Sequence, residues 1–221
     1  MVNNIPLNLP KIYDQFLVPP NVVRHMKEVA VVCDYICQHW IGPEAIDKKL
    51  VMDVAYIHDL ANIIKFKPPF MGELQDKAAY WQRVQTQMQK KYGTDVHQAL
   101  LQMVSEAGLN HFRPILDQMV SVYSSDNWDS PKDIMPEARV VELADCCVMP
   151  SGIVNFADRM QDLYTRYNFT EKDQKARRLI ANKEWVQQRV SIDLNHLPLA
   201  KLRESIYTIF QQYSNDSTNK R

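Results

Sequence analysis

The sequence predicts an all-α fold, a helical bundle with additional helices toward its C-terminus. Three observations carry the prediction. Apolar residues recur at three- and four-residue spacing along nearly the whole chain, the period at which a helix turns one face to a core. No segment alternates apolar and polar at period two, so no strand is expected. The five glycines, Gly42, Gly72, Gly93, Gly108 and Gly152, are too scattered to build a phosphate loop of the dinucleotide or P-loop kind, which removes two nucleotide-binding α/β classes.

The elements follow in order. Val22, Met26, Val29, Cys33, Ile36 and Trp40 trace one stripe of a helix of roughly twenty residues after Pro19-Pro20. Ile46 to Phe66 reads as a second helix, apolar on most of its surface through Leu50, Val54, Ile57, Leu60 and Ile64, and therefore central. Gly72 to Tyr92 is a more polar third helix with Trp81, Val84, Met88 and Tyr92 inward. Thr94 is placed to cap the next, which stops at Gly108 and turns Leu100, Leu101 and Val104 inward. Another begins near Asn110 and uses Phe112, Ile115, Leu116, Met119 and Tyr123, before the longest loop, SSDNWDSPKDIMP, residues 124–136. Pro136 opens a helix through Ala138, Val141, Ala144 and Val148. After a Pro150-Ser151-Gly152 turn, Asn155 with Asp158 caps a helix ending near Tyr167, and Thr170 with Asp173 caps one through Trp185. A last helix fits Pro198 to Tyr213.

A chain of 221 residues suits one compact domain, or one with an appendage. Residues 1–168 are expected to form the main helical domain, 169–213 a helical extension packed on it, and 214–221 a frayed tail. Twenty-six Lys and Arg balance twenty-six Asp and Glu, so overall charge offers no argument for nucleic acid or an anionic membrane as partner. No apolar run reaches the length of a membrane span, and MVNNIPLNLPK lacks the basic and apolar regions of a secretory signal, so a cytoplasmic protein is expected. Cys33 and Cys37 read as small buried thiols, since Cys33-x3-Cys37-x-His39 is a poor match to zinc-site spacing, and Cys146-Cys147 is an awkward pair to bridge.

Three places break the apolar pattern with side chains able to do chemistry. His58-Asp59, in VAYIHDLANIIKF, falls in the middle of the most buried predicted helix. A buried carboxylate costs several kcal/mol unless it is paired or metal-bound, so Asp59 needs a partner. His58, Asn62 and Lys65 share one helical face, with Asp59 offset by about 100 degrees. A salt bridge within the helix would also satisfy the pair. His25 stands one residue off the first apolar stripe beside Arg24, where an ordinary interfacial histidine would also fit. Asp145 interrupts RVVELADCCVMP, where local pairing is the plain alternative.

Taken in order, His25, then His58-Asp59, then the distant Asp145 give the chain its specificity. The set resembles the HD-domain metal-dependent phosphohydrolase superfamily, over roughly Pro19 to Tyr167 and in the phrases VPPNVVRHMKEVA, IHDLANIIKF and ADCCVMPSGI. The resemblance implies an HD-domain-like bundle in which His25, His58, Asp59 and Asp145 hold one divalent transition-metal ion, with Mn, Co, Ni, Fe and Zn not distinguished. It further implies hydrolysis of a phosphate ester in a small phosphorylated metabolite, with nucleotides among the candidates, by a metal-activated water. Asp59 would then combine ligation with catalysis, and Arg24 and Lys65 would neutralise phosphate charge. Two departures bear on proton transfer: Asn62 stands where some members carry a glutamate, and the Gly-Lys of others is replaced by Ala61-Asn62, with the lysine delayed to Lys65. His97 is a candidate for a second ion or for substrate, as is Asn62 for substrate, while His111 reads as a capping or surface residue. A catalytically inactive binding or scaffold protein on the same fold is one alternative. A diiron oxygenase, which needs a second set of histidines, is the other. The expected partner is a small phosphorylated substrate, without membrane or nucleic acid, and a homodimer is left open.

Overall fold

A computed structural model describes residues 7–67, 72–124, 134–167, 170 and 173–218. Among them the chain forms ten α-helices: α1 Leu9–Gln15, α2 Pro20–Gln38, α3 Lys48–Ala55, α4 Ala78–Tyr92, α5 Val96–Glu106, α6 Arg113–Ser124, α7 Pro136–Cys146, α8 Phe156–Tyr167, α9 Gln174–Gln187 and α10 Leu199–Thr218. The all-α expectation holds, including the extra C-terminal helices. α2 lies at the centre and packs on α3, α7 and α10; α7 in turn packs on α3, α6 and α9. The stripe from Val22 through Ile36 is buried along the length of α2, which is why that helix forms the axis. No helix among the described residues is long and apolar enough to cross a membrane.

Several elements differ from the sequence expectation, each for a local reason. α1 is not predicted: seven residues are too few to show a period, yet Leu9, Ile12 and Tyr13 are buried and the Asn8 side chain accepts from the Lys11 amide at 3.1 Å. The helix expected over 46–66 stops at Ala55, and the chain tightens into turns and a 3-10 helix, Asn62–Lys65. Its hydrogen bonds change from the four-residue reach of His58 N to Val54 O, at 2.9 Å, to the three-residue reach of Leu60 N to Ile57 O and Asn62 N to Asp59 O. Gln85 of α4 stabilises the switch by donating to the Ile63 and Phe66 carbonyls at 2.8 and 2.7 Å, and Gln89 donates to that of Ile64 at 2.9 Å. Both windings bury the same apolar residues, so the hydrophobic pattern does not separate them.

Gly72–Lys77 is likewise a 3-10 helix leading into α4, and Asn110–Phe112 another leading into α6. Asp95, not Thr94, caps α5, accepting from the Gln98 amide at 2.9 Å. Asp173 rather than Thr170 is the cap residue of α9, and its carboxylate accepts from the Thr170 amide and hydroxyl. α7 ends at Cys146 instead of reaching Val148, which pairs with Ile153 while Met149 pairs with Gly152 in an antiparallel ribbon. Two residues per strand are too few to alternate visibly. Most of the loop expected over 124–136 lies outside the described residues. α10 runs through Thr218 rather than fraying from residue 214, and Tyr213 anchors its end against the Tyr56 ring, with centroids 4.6 Å apart, and against the Asp53 carboxylate.

Candidate metal centre

Three mutually packed segments supply the polar residues at the heart of the bundle. His25 comes from the second turn of α2, His58 and Asp59 from the turn just past α3, and Asp145 from the last turn of α7. His25, His58, Asp59 and Asp145 each offer one ligand atom, and the four atoms lie within 4.8 Å of one another. The His25 Nε2 is 2.8 Å from Asp145 Oδ1 and 3.5 Å from Asp59 Oδ2. The His58 Nε2 stands 3.7 Å from Asp145 Oδ1 and 3.8 Å from Asp59 Oδ1, too far for hydrogen bonds. The helix break after Ala55 brings adjacent His58 and Asp59 to one point, which a regular helix would hold about 100 degrees apart.

His58 shows how the site is prepared. Its Nδ1 donates to the Ala55 carbonyl at 2.9 Å, which fixes the tautomer and leaves Nε2 as a lone-pair donor. That Nε2 is buried and has no hydrogen-bond partner. A buried polar atom left in this state costs about 1–3 kcal/mol, so it needs an acceptor of its electron pair or a proton. Burial alone would depress the imidazole, but the Asp59 and Asp145 carboxylates and the Ala55 carbonyl outweigh it and raise its pKa to about 9. Burial likewise pushes the Asp145 carboxyl up, and His25 and His58 reverse that, holding it well below the usual carboxylate range. Two imidazoles and two carboxylates are a donor set suited to a divalent transition-metal ion, with carboxylate charge to offset the cation.

Two cavities meet at the cluster. The first, about 520 Å³, is lined by His58, Val96, His97, Leu100 and Leu116. The second, about 430 Å³, is bounded by His25, Arg24, Glu28 and the ribbon residues Val148 and Met149. Asp59, Asn62, Lys65, Asp145 and Arg159 line both.

The other residues singled out in the sequence fall around this junction in different ways. Asn62 is buried, and its amide donates to Asp59 Oδ2, so it orients that carboxylate. Lys65 is exposed at the mouth of both cavities. Arg24 lines the second cavity only, about half exposed, and pairs with Glu73. His97 lines the first cavity with its Nε2 2.8 Å from Asp117 Oδ1, and it is not one of the four clustered donors. His111 stacks on Phe112, with centroids 3.9 Å apart, and lines neither cavity. Cys33, Cys146 and Cys147 are buried, and burial pushes the Cys146 thiol up to about 12.

Sequence reasoning missed Arg159, on α8, and the buried Glu142 of the first cavity wall. Arg159 is bonded to Asp162 three residues on, a spacing that reads as an ordinary surface pair. Glu142 sits three residues before Asp145 on the same face of α7, and that spacing is the one signal that pointed to it. Comparison of the chain with family models, with curated proteins and with solved structures returns no match.

Proposed function

We propose that the chain is a metal-dependent phosphohydrolase of the HD-domain superfamily, acting on a phosphate ester in a small phosphorylated metabolite, nucleotides included. The observation that carries this reading is the buried, unpartnered Nε2 of His58, held toward three further ligand atoms beside two solvent-reaching cavities. A divalent ion held by His25, His58, Asp59 and Asp145 supplies Lewis-acid polarisation of a phosphoryl oxygen and acidifies a water.

The chain's own residues do the rest. Asp59, steadied by the Asn62 amide, would orient the attacking water while it ligates the ion. Asn62 holds no proton to exchange, so its part is positional. Lys65, at the mouth of both cavities, brings an ammonium group to the phosphoryl oxygens. Arg24 adds positive charge to the second cavity from its pair with Glu73. His97, bonded to Asp117, lines the first cavity and is a candidate contact for the alcohol half of the ester. Among the described residues the one group of donors able to hold an ion leaves His97 out, which favours one ion over a diiron centre.

The test is metal-loaded protein with a panel of phosphomonoesters: p-nitrophenyl phosphate, sugar phosphates and nucleoside monophosphates. Turnover should depend on the added ion and fall by at least about a hundredfold in Asp59→Asn. Lys65→Met should raise KM by about tenfold with kcat less affected. Protein that binds the ion stoichiometrically and hydrolyses none of these would favour the inactive scaffold instead.

A further inference from the structure

Two cationic side chains line both cavities, Lys65 and Arg159, and they differ in how they are held. Lys65 is exposed, whereas the Arg159 side chain is 21% exposed and fixed by its neighbours. Its Nη1 donates to Asp162 Oδ2 at 2.8 Å, and the same carboxylate accepts from Arg166 on the next turn of α8. The Arg159 Nε is buried and has no nitrogen or oxygen partner, and the guanidinium also acts on the weakly accepting Cys146 thiol. A guanidinium nitrogen is a donor that cannot be neutralised at physiological pH, so an unused one beside a cavity is a strong acceptor-seeking group. The planar fork of arginine matches adjacent phosphoryl oxygens in a way that the single ammonium of Lys65 does not.

The second cavity is lined by two further cations, Arg24 and Arg166, neither of which lines the first. Arg24 pairs with Glu73 and Arg166 shares Asp162 with Arg159, but their side chains are 48% and 44% exposed, against 21% for Arg159. Arg159 instead lines both cavities together with Asp59 and Asp145, two of the four donors. We propose that Arg159 grips the phosphoryl group at this centre, with Asp162 as the positioning residue that sets the orientation of its fork. The assignment rests on the phosphohydrolase reading and adds to it the residue that favours an anionic phosphoryl group over a neutral ester.

Calorimetric titration of the metal-loaded full chain with inorganic phosphate tests it. Wild type should bind phosphate, and Arg159→Ala should keep its metal stoichiometry yet bind phosphate about ten- to a hundredfold more weakly. Added methylguanidinium should restore part of that loss, a rescue that a purely structural role would not produce. Arg159→Lys should recover little, and Asp162→Asn should weaken phosphate by several-fold with metal retained; these two variants keep the test available if Arg159→Ala does not fold. Unchanged phosphate affinity in a folded, metal-loaded Arg159 variant overturns the assignment alone. Wild type that holds its ion and binds no phosphate overturns the phosphohydrolase reading and this assignment together.

Discussion

At the scale of single residues, proton and metal compete for the same electron pairs. In the metal-free cluster, His58 is held up to about 9 by Asp59 and Asp145 against the opposing effect of burial, so at pH 7 its imidazole carries a proton. A cation must displace that proton, because a metal ligand is a neutral imidazole. Affinity should therefore rise with pH between about 6 and 9, by up to about tenfold per unit for one displaced proton. Chelator competition at pH 6, 7 and 8 would measure it, and a flat profile would mean that His58 is not a ligand. Each of the four donors stands out in the sequence as a polar residue breaking or flanking an apolar run, but it is the ordered resemblance to the HD-domain superfamily that joins them into one set. Arg159 was not legible. An arginine three residues before an aspartate on a polar helix is the commonest of surface patterns, and only the fold turns it inward.

At the scale of elements, α7, the helix that carries Asp145, is fixed against α9 by a buried pair. Arg139 is 1% exposed, donates through Nη1 to Asn182 Oδ1 at 3.3 Å, and accepts through its own carbonyl from Asn182 Nδ2 at 3.0 Å. Its guanidinium lies 4.6 Å from the Trp185 ring centre, and that of Arg189 lies 3.8 Å from the same ring. Burial lowers the Arg139 guanidinium to about 10, which leaves it charged at neutral pH. Asn182→Ala removes both amide bonds and should cost about 1–3 kcal/mol in urea unfolding. Metal content should be kept, because Asp145 lies on a later turn of α7. Destabilisation below about 0.5 kcal/mol would show that the pair contributes little. Helix existence was largely readable from apolar spacing, whereas the break after Ala55 was not. Gln85 and Gln89, distant in sequence, satisfy the carbonyls that a continuous helix would have used internally.

At the scale of the whole molecule, the C-terminal helix is tied to the centre through one buried acid. Asp53 accepts from Lys49 Nζ at 2.6 Å and from the Tyr213 hydroxyl, yet burial outweighs both and raises its pKa. The folded chain therefore keeps a proton on Asp53 at pH values where the unfolded chain has released it. Its contribution to stability is most favourable below the ordinary carboxylate pKa and declines as pH rises through the raised one. Asp53→Asn should thus gain stability relative to wild type as pH increases from 3 to 7, read from urea unfolding at each pH. A relative loss over that range would place the Asp53 pKa below its ordinary value.

The four-donor centre also links the ion to the stability of the bundle, since ligands from α2, α7 and the turn after α3 assemble in the native chain alone. At a free concentration a hundred times its Kd, a bound ion adds about 2.7 kcal/mol. Elemental analysis of the full chain, purified without chelator or a metal-binding tag and compared with His58→Ala, tests the centre most directly. About one divalent transition-metal ion per chain is predicted, absent from the variant, with a melting temperature that falls when the wild type is stripped. Wild type that holds no ion after incubation with manganese, cobalt, nickel, iron or zinc, or a His58→Ala chain that holds as much as wild type, would contradict it.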